Sequence, residues 1–159
     1  MSVLKLQFGD SKKMETATVV NTIRCDIVSA HREIFSGKVT VIFASGVAGE
    51  LGIYPRHAPL FTQLKPGSVR VLDEAGEEQC FFVDGGLLEV QPHVVTIMAD
   101  TAARGEELDR SAAEAAKAEA ERALANNTGG MELDEAHVKL IKAVAQLRTL
   151  DQLRKRAKR

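Results

Sequence analysis

Val94–Ala125 reads VVTIMADTAARGEELDRSAAEAAKAEAERALA, and two folding grammars meet inside it. The first part is apolar and β-branched. The last part holds eight alanines between residues 112 and 125, interleaved with Glu and Lys. Val, Ile and Thr suit a pleated strand, whereas alanine has the highest helix propensity and the charges supply solvated faces. The change falls at Arg104-Gly105. It predicts β-structure before that point and α-structure after it.

Upstream, short apolar segments alternate with turn signals. Thr22–Val28 sets Ile23, Cys25 and Ile27 against Arg24 and Asp26, the pattern of a half-buried strand. Val39–Phe43 is denser and fits a strand buried on both faces. Phe61–Leu64, Val69–Leu72, Gln79–Val83, Gly86–Val90 and Val94–Met98 continue the series. Lys65-Pro66-Gly67, Glu74-Ala75-Gly76, Asp84-Gly85-Gly86 and Gln91-Pro92-His93 read as the turns between them. Such a series predicts an antiparallel β-sandwich. Gly49–Gly67 (GELGIYPRHAPLFTQLKPG) holds three of the chain's four prolines and three of its twelve glycines. It reads as a rigid recognition loop without a nucleophile, metal cluster or phosphate cradle.

Downstream, Glu106, Glu107 and Asp109 suit a helix start. Asn126-Asn127-Thr128-Gly129-Gly130 ends that helix, and Asp134-Glu135 opens a second running towards Lys158. Leu133, Ala136, Leu140, Ala143, Leu147 and Leu150 form a seam for a partner helix, met by Ala113, Ala116, Ala120 and Ala123. Alanine buries little area, at about 25 cal/mol per Å². The expected hairpin is therefore formed but weakly held, as an element that opens must be. The expected organisation is an extension or expression tail over 1–21, a sandwich over 22–105 and a hairpin over 106–159. Met14 is a candidate internal start within the extension.

The balance of 45% hydrophobic and 27% charged residues, with net charge −1, is that of a globular protein and not of a polyelectrolyte binder. No apolar run approaches the roughly 20 residues that span a bilayer, and the start lacks the pattern of a signal peptide. Cys25 and Cys80 read as buried free thiols, with a disulfide as the alternative.

Several long motifs resemble the epsilon subunit of the bacterial F-type ATP synthase. They are Ile27-Val28-Ser29-Ala30, Ile34-Phe35-Ser36-Gly37, Gly49–Gly67, Phe82–Pro92, Val94–Ala102, Leu108-Asp109 and Ala143–Arg148. The resemblance spans about residues 22–155. It implies a non-catalytic central-stalk subunit without a cofactor, peripheral on the cytoplasmic face of the bacterial inner membrane. The sandwich would bind the gamma subunit and the c-ring. The hairpin would lie compact against it, or extend into the alpha/beta head and inhibit ATP hydrolysis.

On that resemblance Glu50, Leu51 and Gly52 face the c-ring; without it Glu50 is a solvated loop acid. Arg56 and His57 are a candidate interface pair, with a structural turn histidine as the equal alternative. Arg148, Arg154, Lys155, Arg156 and Lys158 form a regulatory basic tail that would meet acidic residues of the beta subunits. Their plain reading is a solvated helix end favoured by the helix dipole. Some family members bind ATP through Ile/Leu-Asp-x-x-Arg-Ala; here Leu108-Asp109-Arg110-Ser111-Ala112-Ala113 lacks the arginine, so Asp109 is a weak nucleotide candidate. No metal site is expected, since His31, His93 and His137 stand alone.

Two rival classes remain. A cupin-like metal or small-molecule barrel needs clustered histidines and acids, which the strands lack. A nucleic-acid module needs basic and aromatic residues on the sheet, yet Arg and Lys are sparse between Val71 and Thr101. A stand-alone β-sandwich binding module with a basic helical tail is the alternative function. No nucleic-acid partner and no lipid insertion are expected.

Overall fold

The computed structural model of the chain describes residues 20–126 and 130–158, with the backbone alone at Met131. The expectations for residues 1–19, for the helix stop at 127–129 and for Arg159 lie outside the described residues. Nine strands come first: β1 (Ile23–Ser29), β2 (Glu33–Val39), β3 (Val41–Gly46), β4 (Gly49–Ile53), β5 (Leu60–Leu72), β6 (Glu78–Val83), β7 (Gly86–Val90), β8 (Val94–Ala99) and β9 (Ala102–Arg104). A 3-10 turn at Gly105–Glu107 leads into helix α1 (Arg110–Ala125), and α2 (Met131–Ala157) follows. The expected sandwich followed by a helical hairpin is the fold observed.

Two layers share β5. One runs β2-β1-β8-β7 and joins the first half of β5; the other contains β4, β3, the second half of β5, β6 and β9. All pairings are antiparallel except β1 with β8. Between the layers lie Cys25, Ile27, Ile42, Ile53, Val69, Val71, Phe81, Val83, Leu88, Val95 and Ile97, none above 1% exposed. Strand alternation places these on the inner faces.

Three local expectations change. Lys65-Pro66-Gly67 does not separate two strands but sits inside one, the 13-residue β5. Leu60–Leu64 pair with β7, and Gly67–Leu72 pair with β6. Pro66, which lacks an N–H, falls between the two ladders, so turn chemistry makes a corner where a strand changes sheets. At that corner β5 crosses β3 so closely that a Cβ on Gly67 would lie 2.7 Å from Ser45 Oγ. The expected Val39–Phe43 strand is instead the end of β2 and the start of β3, with Thr40 between them. The start of the Gly49–Gly67 loop is edge strand β4, hairpinned onto β3 through Val47-Ala48; only residues 54–59 are irregular.

The helices also begin differently. Glu106 and Glu107 lie in the 3-10 turn, and Asp109 is the N-cap of α1: its Oδ1 accepts from Ser111 N at 2.8 Å and Ala112 N at 3.2 Å. Helix α2 starts before Asp134, at Met131. Ala113, Ala120, Ala136 and Ala143 are buried, as the seam required, but Ala116 is exposed. The buried stripe of α1 steps from Ala113 to Ala120 and misses Ala116.

Candidate functional site

The outer face of the second layer carries the hairpin. Along β6, Phe81 and Val83 point into the core, so Glu78, Cys80 and Phe82 point outward, and Asp84 continues that row. Cys80 and Phe82 are buried although they lie outside the core cluster. Helix α2 packs on β5 and β6 and covers them.

Charge marks both ends of this row. Lys142 Nζ lies 2.7 Å from Asp84 Oδ2, and an Arg156 guanidinium nitrogen lies 3.0 Å from Glu78 Oε1. Glu78 is also 3.7 Å from Arg70, whose guanidinium stacks over Phe43 at 4.6 Å. Burial first, and then the Glu78 charge, push the Cys80 thiol up to about 11. The two helices are tied to each other by Arg110 and Asp151 at 2.6 Å; this hydrogen bond holds Asp151 below and Arg110 above their ordinary ranges. The junction is fastened separately: Arg32 meets Glu107 at 3.1 Å, and Arg104 donates to Ile34 O and Gln79 Oε1.

Above the β5 corner, α2 stands off the sheet and leaves a groove of about 460 Å³. Glu50, Lys65, Arg148 and Gln152 line it; Thr149, also lining it, is 1% exposed and donates to Ala145 O at 2.9 Å. A neighbouring groove brings Glu50 to Arg70, Lys155 and Arg156. Glu50 and part of the basic tail, far apart in sequence, thus border the same surface. Leu51 beside Glu50 is half-buried and Gly52 is exposed.

The other candidates fall elsewhere. His57 Nδ1 is 2.7 Å from Ala58 O, and His57 N donates to Tyr54 O at 3.1 Å. Arg56 has φ 69°, the one non-glycine residue with positive φ among those described. Both ring and backbone of His57 are therefore used inside the turn. Arg154, Lys155 and Lys158 are exposed, whereas Arg156 is engaged by Glu78. The Asp109 carboxylate serves the helix cap, and Ala112 is exposed where a phosphate-binding arginine would stand. Among the described residues no group of three or more His, Cys, Asp or Glu is placed to hold a metal. No described helix is long and apolar enough to cross a membrane.

Sequence reading missed Asp84, Glu78 and Lys142. Each is an ordinary surface charge by type, and only the packing of α2 onto β6 pairs them. A signal existed for the two acids, which flank the apolar pair Cys80 and Phe82 at strand spacing. A second surface also emerges, on the first layer. Phe61 is 63% exposed, and Leu87 and Met98 lie opposite each other on β7 and β8, on the face that Phe61 shares.

Comparison with known proteins agrees with this architecture. Residues 22–105 match the family described as "ATP synthase, Delta/Epsilon chain, beta-sandwich domain", and residues 106–151 match its "long alpha-helix domain". The ATP synthase epsilon chain of Alkalilimnicola ehrlichii is 53% identical over 140 residues, covering 88% of this chain and 100% of its own length. That of Stenotrophomonas maltophilia is 55% identical over 139 residues, covering 87% and 99%. In fold, the chain is similar to one in the Euglena gracilis mitochondrial ATP synthase, with TM-score 0.75, 23% identity, and coverage of 94% and 91%. Epsilon chains are non-catalytic parts of the complex that makes ATP from proton transport, which fits a surface built of packing and ion pairs. Two matched regions and relatives above half identity place the chain in one family: it belongs to the ATP synthase delta/epsilon family, as an epsilon chain.

Proposed function

We propose that the chain works in the central stalk on the cytoplasmic face of the membrane, and that its hairpin inhibits ATP hydrolysis when it extends. The supporting observation is that the core cluster contains no residue beyond Ala102. The hairpin contributes nothing to the inter-sheet core, so it can leave without opening the sandwich. The apolar surface of Phe61, Leu87 and Met98 suits a permanent partner, which this reading takes to be gamma. Glu50, at the β3–β4 edge, then faces polar loops of the c-ring. On extension, Arg148, Arg154, Lys155 and Lys158 meet acidic residues of the alpha/beta head.

The test uses F1 depleted of its epsilon chain. Adding the wild-type chain should lower ATP hydrolysis and capture gamma. Alanine at Arg148, Arg154, Lys155 and Lys158 together should keep gamma binding and relieve the inhibition. Arg156 stays unchanged, because its contact with Glu78 would confuse the result. If the wild-type chain neither captured gamma nor altered hydrolysis, the proposal would fail. Equal inhibition by the wild type and the alanine variant would remove the role given to the tail.

A further inference from the structure

We propose that Asp84 and Glu78 form a two-point electrostatic latch that holds α2 on the sandwich through Lys142 and Arg156. This rests on the hairpin reading above and names what regulates it. The geometry behaves like two matched rulers. Between Lys142 and Arg156 the helix rises about 21 Å, at about 1.5 Å per residue. Between Glu78 and Asp84 the strand runs about 20 Å, at about 3.3 Å per residue. Running against β6, α2 therefore brings one cation to each acid, at 2.7 Å and 3.0 Å. Cys80 and Phe82 fill the apolar middle. A helix shifted by one turn would lose both pairs at once, so the latch also fixes the register of docking.

The latch holds but does not lock. Asp84 and Glu78 are only 15% and 14% exposed, yet their partners Lys142 and Arg156 are 43% and 38% exposed. Asp84 Oδ1 is buried without a hydrogen bond, and Glu78 Oε1 meets Arg156 outside hydrogen-bond alignment. Carboxylates so placed regain water when α2 lifts, which offsets part of the lost attraction. Lifting also frees Lys142 and Arg156.

The chain carries its own probe. Cys80 lies between the latch acids, and Leu153 of α2 sits against Gly105 beside the Cys80 carbonyl. Cys25 is 0% exposed in the inter-sheet core. A thiol reagent reaches Cys80 when α2 lifts, and Cys25 only when the sandwich unfolds. The experiment is residue-resolved thiol labelling of the isolated full-length chain, comparing wild type with Lys142→Glu, Arg156→Glu, both reversals together, and the exchange Asp84→Lys with Lys142→Glu. Each reversal should speed Cys80 labelling about fivefold or more, the scale of a partly exposed pair plus new repulsion. The two effects should multiply, because the pairs lie about 20 Å apart. The exchanged pair should return towards the wild-type rate, and raised salt should speed the wild type.

Unchanged labelling in both reversal variants, or an exchanged pair as fast as Lys142→Glu alone, overturns the latch. If Cys25 labels as well, the sandwich has opened, and Lys142→Gln and Arg156→Gln take the place of the reversals under the same criteria. This readout needs no partner subunit. Failure here leaves the inhibition proposal standing, whereas a working latch in a chain that never inhibits hydrolysis would sink only that proposal.

Discussion

Gly86→Ala should be far more damaging than Gly76→Ala, although both glycines have positive φ. Gly76 has φ +81° in the Asp73–Glu77 turn, and a Cβ there would meet nothing within 4 Å. Its cost is conformational alone, about 1–2 kcal/mol for an L residue held left-handed. Gly86 has φ +124°, and a Cβ there would lie 2.2 Å from Met98 O and 2.8 Å from Ala99 Cα. Both atoms belong to the backbone of the paired strand β8, so no side chain can swing away. Relief requires breaking the Gly86–Ala99 pair and moving β7 from β8. Overpacking of about 1–3 kcal/mol adds to a backbone strain of about 1–3 kcal/mol, and about 4 kcal/mol in total is expected. With a urea slope of about 2 kcal/mol per M, the midpoint should fall by about 2 M for Gly86→Ala and by about 0.5–1 M for Gly76→Ala. The same turn carries Asp84, whose N donates to Thr101 O at 2.8 Å, so Gly86→Ala should also speed Cys80 labelling. Urea unfolding of the two variants side by side is the assay. Losses equal within about 0.5 kcal/mol would refute the argument from close approach.

Two further outcomes are expected. Burial, then the Asp26 charge, raise the Cys25 thiol from 9.0 to about 12, so the folded state keeps its proton longer than the unfolded chain. The stability that depends on it is complete below pH 9 and is lost as pH climbs towards 12, by about 3 kcal/mol between pH 9 and 11 at about 1.4 kcal/mol per pH unit. Unfolding titrations should show Cys25→Ala escaping this alkaline loss, and parallel pH curves for the two proteins would contradict it. Deleting residues 106–159 should leave the β-sheet circular-dichroism signal intact, with Cys25 protected and Cys80 labelled at the rate of an open thiol. Loss of the sheet signal, or a protected Cys80, would show that the hairpin and sandwich are not separable as described.

The division into sandwich and hairpin was legible because it rests on local chemistry. Alanine density and β-branched alternation act within a few residues of each position. The seam was legible for the same reason, apart from Ala116, whose burial depends on how α1 rolls against α2. What could not be read was where local chemistry serves a long-range purpose. Pro66 and Gly67 signal a turn in any sequence window, and only the pairing of Leu60–Leu64 with β7 and of Gly67–Leu72 with β6 makes them a corner. Strand β4 was hidden in the Gly49–Gly67 stretch because an edge strand tolerates glycine and leaves half its backbone unpaired.

The candidate site shows the same limit in charge rather than in backbone. The basic end of α2 reads as one uniform tail, since lysine and arginine carry no mark of which will be paired. Folding divides it: Arg156 is spent on Glu78 while Arg154, Lys155 and Lys158 stay in solvent. Lys142, outside that tail, acquires a role through Asp84 that its neighbours in sequence do not suggest. Grouping cations by proximity in sequence therefore mixes those that hold the compact state with those free to meet another surface. A variant that neutralised Arg156 together with the exposed cations would weaken both states, and its effect on hydrolysis could take either sign. Separating the two sets is what lets release of the hairpin and engagement of a partner be measured apart.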